Sequence, residues 1–138
     1  MIQLLKNGIT KPPYARIKSF NRRYRRKDGS WATKKTSIEL CFNIGAIKQC
    51  GLVKGDRVDL LYERHNKTWG MPILIVRKGG TQRKLSGPLG GQWLCVAIGA
   101  AVKQWDLPLV VKRRLEILDY IDGDLFVDIT HMTPSVRL

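Results

Sequence analysis

A switch of hydrophobic period inside residues 42–62, FNIGAIKQCGLVKGDRVDLLY, constrains this chain more than any other feature. Ile44, Ile47 and Gly51 recur at steps of three and four, which suits one helix face, whereas Val58 and Leu60 fall two apart, which suits a strand. Gly51 stands where a short helix ends in the left-handed conformation, and Lys54-Gly55-Asp56 forms a tight turn before the strand. The stretch therefore predicts strand end, short helix, turn and strand. Just before it, SIELCF alternates Ile38, Leu40 and Phe42 against Ser37, Glu39 and Cys41, the pattern of a half-buried strand. After it, RHNKTWGM predicts a loop and PILIVRK a returning strand, with Pro72 at its tolerant first position.

The unit recurs about 54 residues later. Leu40-Cys41 aligns with Leu94-Cys95, Ile44-Gly45-Ala46 with Ile98-Gly99-Ala100, and, after one inserted residue, Lys48-Gln49 with Lys103-Gln104 and Leu52 with Leu107. Val58, Leu60 and Leu61 then match Leu115, Ile117 and Leu118, and Asp122-Gly123 predicts a hairpin turn. The Gly-rich segment 79–91, with Gln92 at its end, reads as a joint between the halves, since it lacks P-loop spacing. The expected domains are an arm over 1–36 and a duplicated body over 37–138, with repeats at 37–78 and 92–130. Residues 1–15, with Gly8 and Lys11-Pro12-Pro13, read as an extended lead-in, and 131–138 as a loose tail.

Charge is placed unevenly. Of the formal +14 over 138 residues, residues 1–36 contribute eleven Lys/Arg against Asp28 alone, while 80–138 carry seven against six. A basic front on a nearly neutral body points to a polyanionic partner. Asp28-Gly29 predicts a hairpin with these two as central turn residues, which would set Arg26 opposite Trp31, Tyr24 opposite Thr33, Arg23 opposite Lys34 and Arg22 opposite Lys35. One face would then show Arg22, Tyr24, Arg26, Trp31, Thr33 and Lys35 together. The candidate nucleic-acid contacts are Arg22, Arg23, Tyr24, Arg25, Arg26, Lys27, Trp31, Lys34 and Lys35, with Arg77, Lys78, Arg83, Lys84, Lys112, Arg113 and Arg114 extending the track. Trp31 and Trp69 are the candidates for base stacking; Trp93 and Trp105 sit in apolar patterns and read as core.

No apolar run approaches the ~18 residues of a membrane span, and MIQLLKNG is too short for a signal peptide. Cys41, Cys50 and Cys95, an odd number in apolar surroundings, read as buried reduced thiols of a cytoplasmic protein. His65 and His131 offer no zinc spacing with them. Asp119, Asp122, Asp124 and Asp128 are close enough in sequence to suggest Mg²⁺, but Asp122-Gly123-Asp124 is ordinary turn composition and Asp119 and Asp128 read as outward strand positions. Neither metal nor cofactor is expected, and no catalytic residue.

Around Gly51-Leu52, Gly55-Asp56, Val58 and Leu60 the sequence resembles the AbrB/SpoVT/MazE group of swapped-hairpin proteins, over about residues 37–78 and more weakly 92–130. The resemblance implies a mostly β fold with short helices, in which two βαββ units interlock as a swapped-hairpin barrel, here in tandem behind the basic arm. It implies duplex-DNA binding, in transcription regulation or in antitoxins that also hold a toxin; RNA is the second choice of nucleic acid. A cytoplasmic protein, bacterial or phage-encoded, is expected, with a homo-oligomer as a further expectation. The chain departs from the family at Asn43 and Ala97, where proline is usual ahead of the helix, and at Ile38-Glu39, where the family has Gly-Arg. No acidic toxin-binding tail follows. The alternatives are an assembly protein of a virion or ribonucleoprotein and, behind it, a metal-dependent nuclease.

Overall fold

The computed structural model describes residues 12–87, 92–107 and 114–130; the side chains of 19–23 and 33–37 are not described. The expected lead-in over 1–11, the tail 131–138 with His131, residues 88–91 of the Gly-rich segment, and Lys112 and Arg113 lie outside the described residues. The elements run β1 (Tyr14–Arg25), β2 (Trp31–Phe42), α1 (Ile44–Cys50), β3 (Arg57–Glu63), β4 (Ile73–Lys78), β5 (Arg83–Lys84), β6 (Leu94–Ala97), α2 (Gly99–Gln104), β7 (Arg114–Ile121) and β8 (Asp124–Asp128).

The strands form one eight-stranded antiparallel sheet in the order β5-β3-β4-β8-β7-β1-β2-β6. Its two ends approach each other. Ser86, just past β5, exchanges backbone bonds with Cys95 on β6 (2.8 and 2.9 Å), so the sheet is nearly a closed barrel. Inside lie Ile17, Leu40, Phe42, Val58, Val76, Leu85, Val96, Leu115, Leu125, Val127 and Ile129, all essentially inaccessible to water. Each such side chain stabilises the fold by about 1.5–3 kcal/mol through burial alone. Alternation supplies them: β7 turns Leu115 and Ile117 inward and exposes Arg114 and Glu116.

The segment that fixes the fold locally is α1 and its two caps. Asn43, 2 % exposed, accepts from the Ala46 N–H (3.0 Å) and the Tyr14 N–H (3.0 Å) through Oδ1, and donates through Nδ2 to the Pro12 carbonyl (2.9 Å). Asn43 thus caps the helix and ties it to the start of β1. Asn43→Ala removes the cap and leaves the part-buried Tyr14 N–H without its acceptor, so chemical denaturation should show a loss of about 2 kcal/mol. At the other end Gly51 (φ 63°) lets Leu52 turn back, its N–H donating to the Ile47 carbonyl at 2.9 Å. Leu107 makes the matching bond to Val102 (2.9 Å) after Asp106 at φ 54°, although α2 lacks a side-chain N-cap.

Of the positions that the sequence alignment places on one another, Cys41 and Cys95 pair across the sheet, whereas Leu40 and Leu94 do not. Cys41 lies opposite Cys95, flanked by Leu40↔Val96 and Phe42↔Leu94, and β4 pairs with β8. Asp122 (φ 51°) and Gly123 (φ 86°) make the expected two-residue turn of the β7–β8 hairpin.

Several expectations need correction. Tyr14 and Ala15 are not lead-in but strand: they pair with Glu116 and Leu115 of β7. The Gly-rich segment is more than a joint, because β5 pairs with β3 and Leu85 is fully buried. Asp59 accepts from the Thr81 and Gln82 N–H groups (2.8 and 3.0 Å), bonds that hold its carboxyl below the usual range. A Cβ on Gly80 would run into that carboxylate, so this glycine answers to a close approach rather than to looseness. Asp119 is not outward; it is 9 % exposed, beside a bulge in β7, and accepts from the Tyr120 N–H.

Candidate nucleic-acid interface

The basic front of the chain is a two-stranded ribbon. β1 pairs with β7 only over Tyr14–Arg16, and β2 with β6 only over Glu39–Phe42. Beyond Lys18 and Ile38, among the described residues, the two strands pair only with each other. From Ser19 to Arg25 the ribbon is roughly 20–25 Å long at the usual rise per residue. Between residues 14 and 42 it carries nine Lys/Arg against Asp28 and Glu39. Every residue from Tyr24 to Trp31 is exposed.

The turn differs from the expected one by a residue. Arg26 N–H donates to the Ser30 carbonyl (2.7 Å) and Gly29 N–H to the Arg26 carbonyl (3.0 Å), with Gly29 at φ 88°. Three residues, Lys27 to Gly29, therefore form the loop, with glycine in the left-handed position. Asp28 Oδ1 accepts from Ser30 Oγ (2.6 Å) and Ser30 N (2.9 Å), and these bonds depress its pKa. The register becomes Arg25↔Trp31, Tyr24↔Ala32, Arg23↔Thr33 and Arg22↔Lys34, with a bulge opposite Asn21. A one-residue slip moves every side chain of one strand to the other face. Tyr24 and Trp31, expected together, lie on opposite faces of the ribbon. Arg25 packs its guanidinium over Trp31, 4.9 Å from the ring centre, and the aromatic rings of Tyr24 and Trp31 remain about half exposed (47 % and 53 %).

At the root of the ribbon the structure adds residues that the sequence reading left out. Arg16 and Lys18 flank the Trp93 ring at 5.5 and 5.6 Å, and Tyr14 meets it edge-on at 5.9 Å. Arg114, opposite Arg16 on β7, lies over the Tyr14 ring at 3.8 Å. Trp93 is thus half-buried on the outer face, not core. The signal was present as the alternation of Tyr14, Arg16 and Lys18 against the buried Ala15 and Ile17. Tyr14, Arg16, Lys18 and Tyr24 occupy alternate positions of β1, so cations and rings run from barrel to tip.

Other candidates are engaged elsewhere. Arg77 forms a two-point ion pair with Asp124 (2.9 and 3.1 Å), and Lys78 donates to the Cys50 and Gly51 carbonyls (3.1 and 3.0 Å) and to Tyr120 Oη (3.2 Å). Lys78 completes the C-terminus of α1. These two residues do not extend the ribbon's track. Arg83 faces a cleft beside α2, while Lys84 is exposed next to Gly55. Trp69, expected to stack on bases, stacks on Phe126 instead (5.0 Å), and Trp105, half-buried, packs on Tyr62 (5.4 Å).

The thiols also depart from expectation. Cys41 and Cys95 form a disulfide, and Cys50 alone is free. Burial pushes the Cys50 thiol up to about 11, against the opposing pull of the Lys78 ammonium. It is a poor nucleophile at neutral pH. Intact mass after iodoacetamide treatment at pH 8 should show no adduct on the native protein and one after denaturation without reductant. Among the described residues, the one group of three donor side chains within ligand reach of each other is Glu39, Cys41 and Cys95, two of them consumed by the disulfide. The acidic residues of the second half do not converge there: Asp124 holds Arg77, and Asp128 accepts from Thr130 Oγ1 and N–H. His65 is exposed in its loop. No helix among the described residues is long and apolar enough to cross a membrane. No protein-family model, curated protein or solved structure matches the chain.

Proposed function

We propose that this chain is a non-enzymatic nucleic-acid-binding protein, with duplex DNA ahead of RNA, that grips phosphates with the β1–β2 ribbon while the barrel holds the ribbon in place. The observation that carries the reading is the exposed tip from Tyr24 to Trp31, with Arg25, Arg26 and Lys27 beside two half-exposed rings. A two-stranded ribbon fits the major groove of B-DNA, about 12 Å wide, and strand readers of that kind are a known docking geometry. The Trp93 cluster at the root adds cations where a backbone leaving the groove would pass.

The finer reading is a tandem AbrB-like barrel acting in transcription regulation. The pairing of β2 with β6 about Cys41↔Cys95, and of β4 with β8, supports it, because equivalent strands of two copies meet this way about a twofold axis. A cytoplasmic address belongs to the same reading, yet the Cys41–Cys95 bond pulls against it, since such compartments keep thiols reduced. Counting free thiols on protein quenched with alkylating agent inside cells decides between them.

Competition binding with duplex DNA, single-stranded DNA and RNA at several salt concentrations tests the function. Five or six neutralised phosphates give a slope of log affinity against log salt of about −5 on duplex DNA. A salt-insensitive affinity overturns the reading. Negligible binding to all three, together with a defined oligomer by sedimentation, identifies an assembly protein instead.

A further inference from the structure

Away from the ribbon, β3, β5 and α2 enclose a cleft of about 400 Å³ lined by Leu60, Leu61, Tyr62, Gln82, Arg83, Ala101, Gln104 and Trp105. Its volume falls in the range that holds a small ligand of one or two rings. The floor is apolar, with Leu60 and Ala101 almost fully buried. One wall is the tilted Tyr62–Trp105 pair, at 5.4 Å and 31°. The Nε of Arg83 is buried and meets no hydrogen-bond partner. Being closed to water, Nε is closed to a ligand in the cleft as well, so Arg83, which lines the cleft, can meet one only through its terminal nitrogens.

The other polar groups favour the same chemistry. Gln82 spends its Oε1 accepting from the Leu60 N–H (3.2 Å), which leaves its amide N–H groups as donors. No carboxylate lines the cleft, and of the two acidic residues of β3 beside it Asp59 is engaged by the Thr81 and Gln82 N–H groups and Glu63 accepts from Asn66 Nδ2 (2.6 Å). Donors therefore exceed acceptors on the polar side, against a ring-bearing wall on the other. We infer that this cleft binds a small planar aromatic anion, whose ring packs on Tyr62 and Trp105 and whose charged oxygens accept from Arg83. A carboxylate matches the planar fork of an arginine in two-point fashion. This inference does not rest on nucleic-acid binding, and the cleft shares no residue with the ribbon.

The four tryptophans give four indole N–H signals in a ¹H–¹⁵N spectrum of the full chain. Benzoate and 1-naphthoate should move one of them saturably, the one missing in Trp105→Phe, while benzyl alcohol of similar size should not. Arg83→Gln should weaken the carboxylates about tenfold, the scale of one charge-assisted hydrogen bond. Lys84→Gln, one residue away and exposed, should leave the affinity unchanged. If Arg83→Gln loses the other three indole signals through misfolding, Arg83→Lys is measured instead, with the same weakening expected from loss of the fork. No saturable shift with either carboxylate, equal binding of benzyl alcohol, or unaltered affinity in the arginine variant overturns the assignment.

Discussion

Replacing Arg25, Arg26 and Lys27 together with glutamine is expected to lower affinity for duplex DNA by about two to three orders of magnitude near 0.1 M salt, and to flatten the salt dependence by about 2.7 in slope. The three residues are exposed at the end of the ribbon, and among the described residues the ring contact given up is that of Arg25 with Trp31. An exposed contact of this kind contributes about 0.5–1 kcal/mol, so the melting temperature should hardly move. Affinity and stability are therefore expected to separate. The companion variant is Arg77→Gln, which removes one formal charge and the Asp124 ion pair on β4, three strands from β1 in the sheet. It should leave the slope as it is. If the two variants weaken binding equally per charge removed, net charge rather than the ribbon does the binding, and the ribbon reading fails.

The ribbon also marks where sequence reasoning stopped. Asp28-Gly29 announced a hairpin, but the pair is compatible with both a two-residue turn and a three-residue loop ending in left-handed glycine. Nothing local separates them, because the flanking residues are polar on both faces and no buried stripe pins the register. By contrast, Phe42 to Tyr62 was legible in detail. There Gly51, Gly55 and the inward Val58 and Leu60 each meet a local requirement that agrees with the barrel. The fates of Arg77 and Trp69 were not legible. Their partners, Asp124 and Phe126, sit on β8, which reaches β4 only through the tertiary pairing of the two halves. Trp93 was misread because apolar neighbours in sequence say little about a side chain whose ring faces outward between Arg16 and Lys18.

The Cys41–Cys95 bond shows the same limit and carries the largest expected effect on stability. Its two residues are 54 apart, the period of the sequence alignment, and antiparallel pairing of the aligned strands sets them opposite each other. In the chain-entropy account, closing a loop of that length removes unfolded-state freedom equivalent to about 4 kcal/mol. Reduction, or Cys41→Ala with Cys95→Ala, should therefore lower the melting temperature by about 10–15 °C for a chain of this size. The effect should concentrate at the seam where β2 meets β6, a ladder of four residue pairs from Glu39 to Phe42. Hydrogen exchange should accelerate there first, since that short ladder and the Ser86–Cys95 bridge are what close the barrel. Arg16 on β1 pairs directly with Cys41 on β2, so loosening this seam also loosens the root of the ribbon. The reduced protein should then bind DNA with a similar salt slope but lower affinity, because the phosphate contacts survive while their support does not. A melting temperature indifferent to reductant in the wild-type chain, or three alkylatable thiols in denatured unreduced protein, would show that the two strands are held by backbone pairing and burial alone.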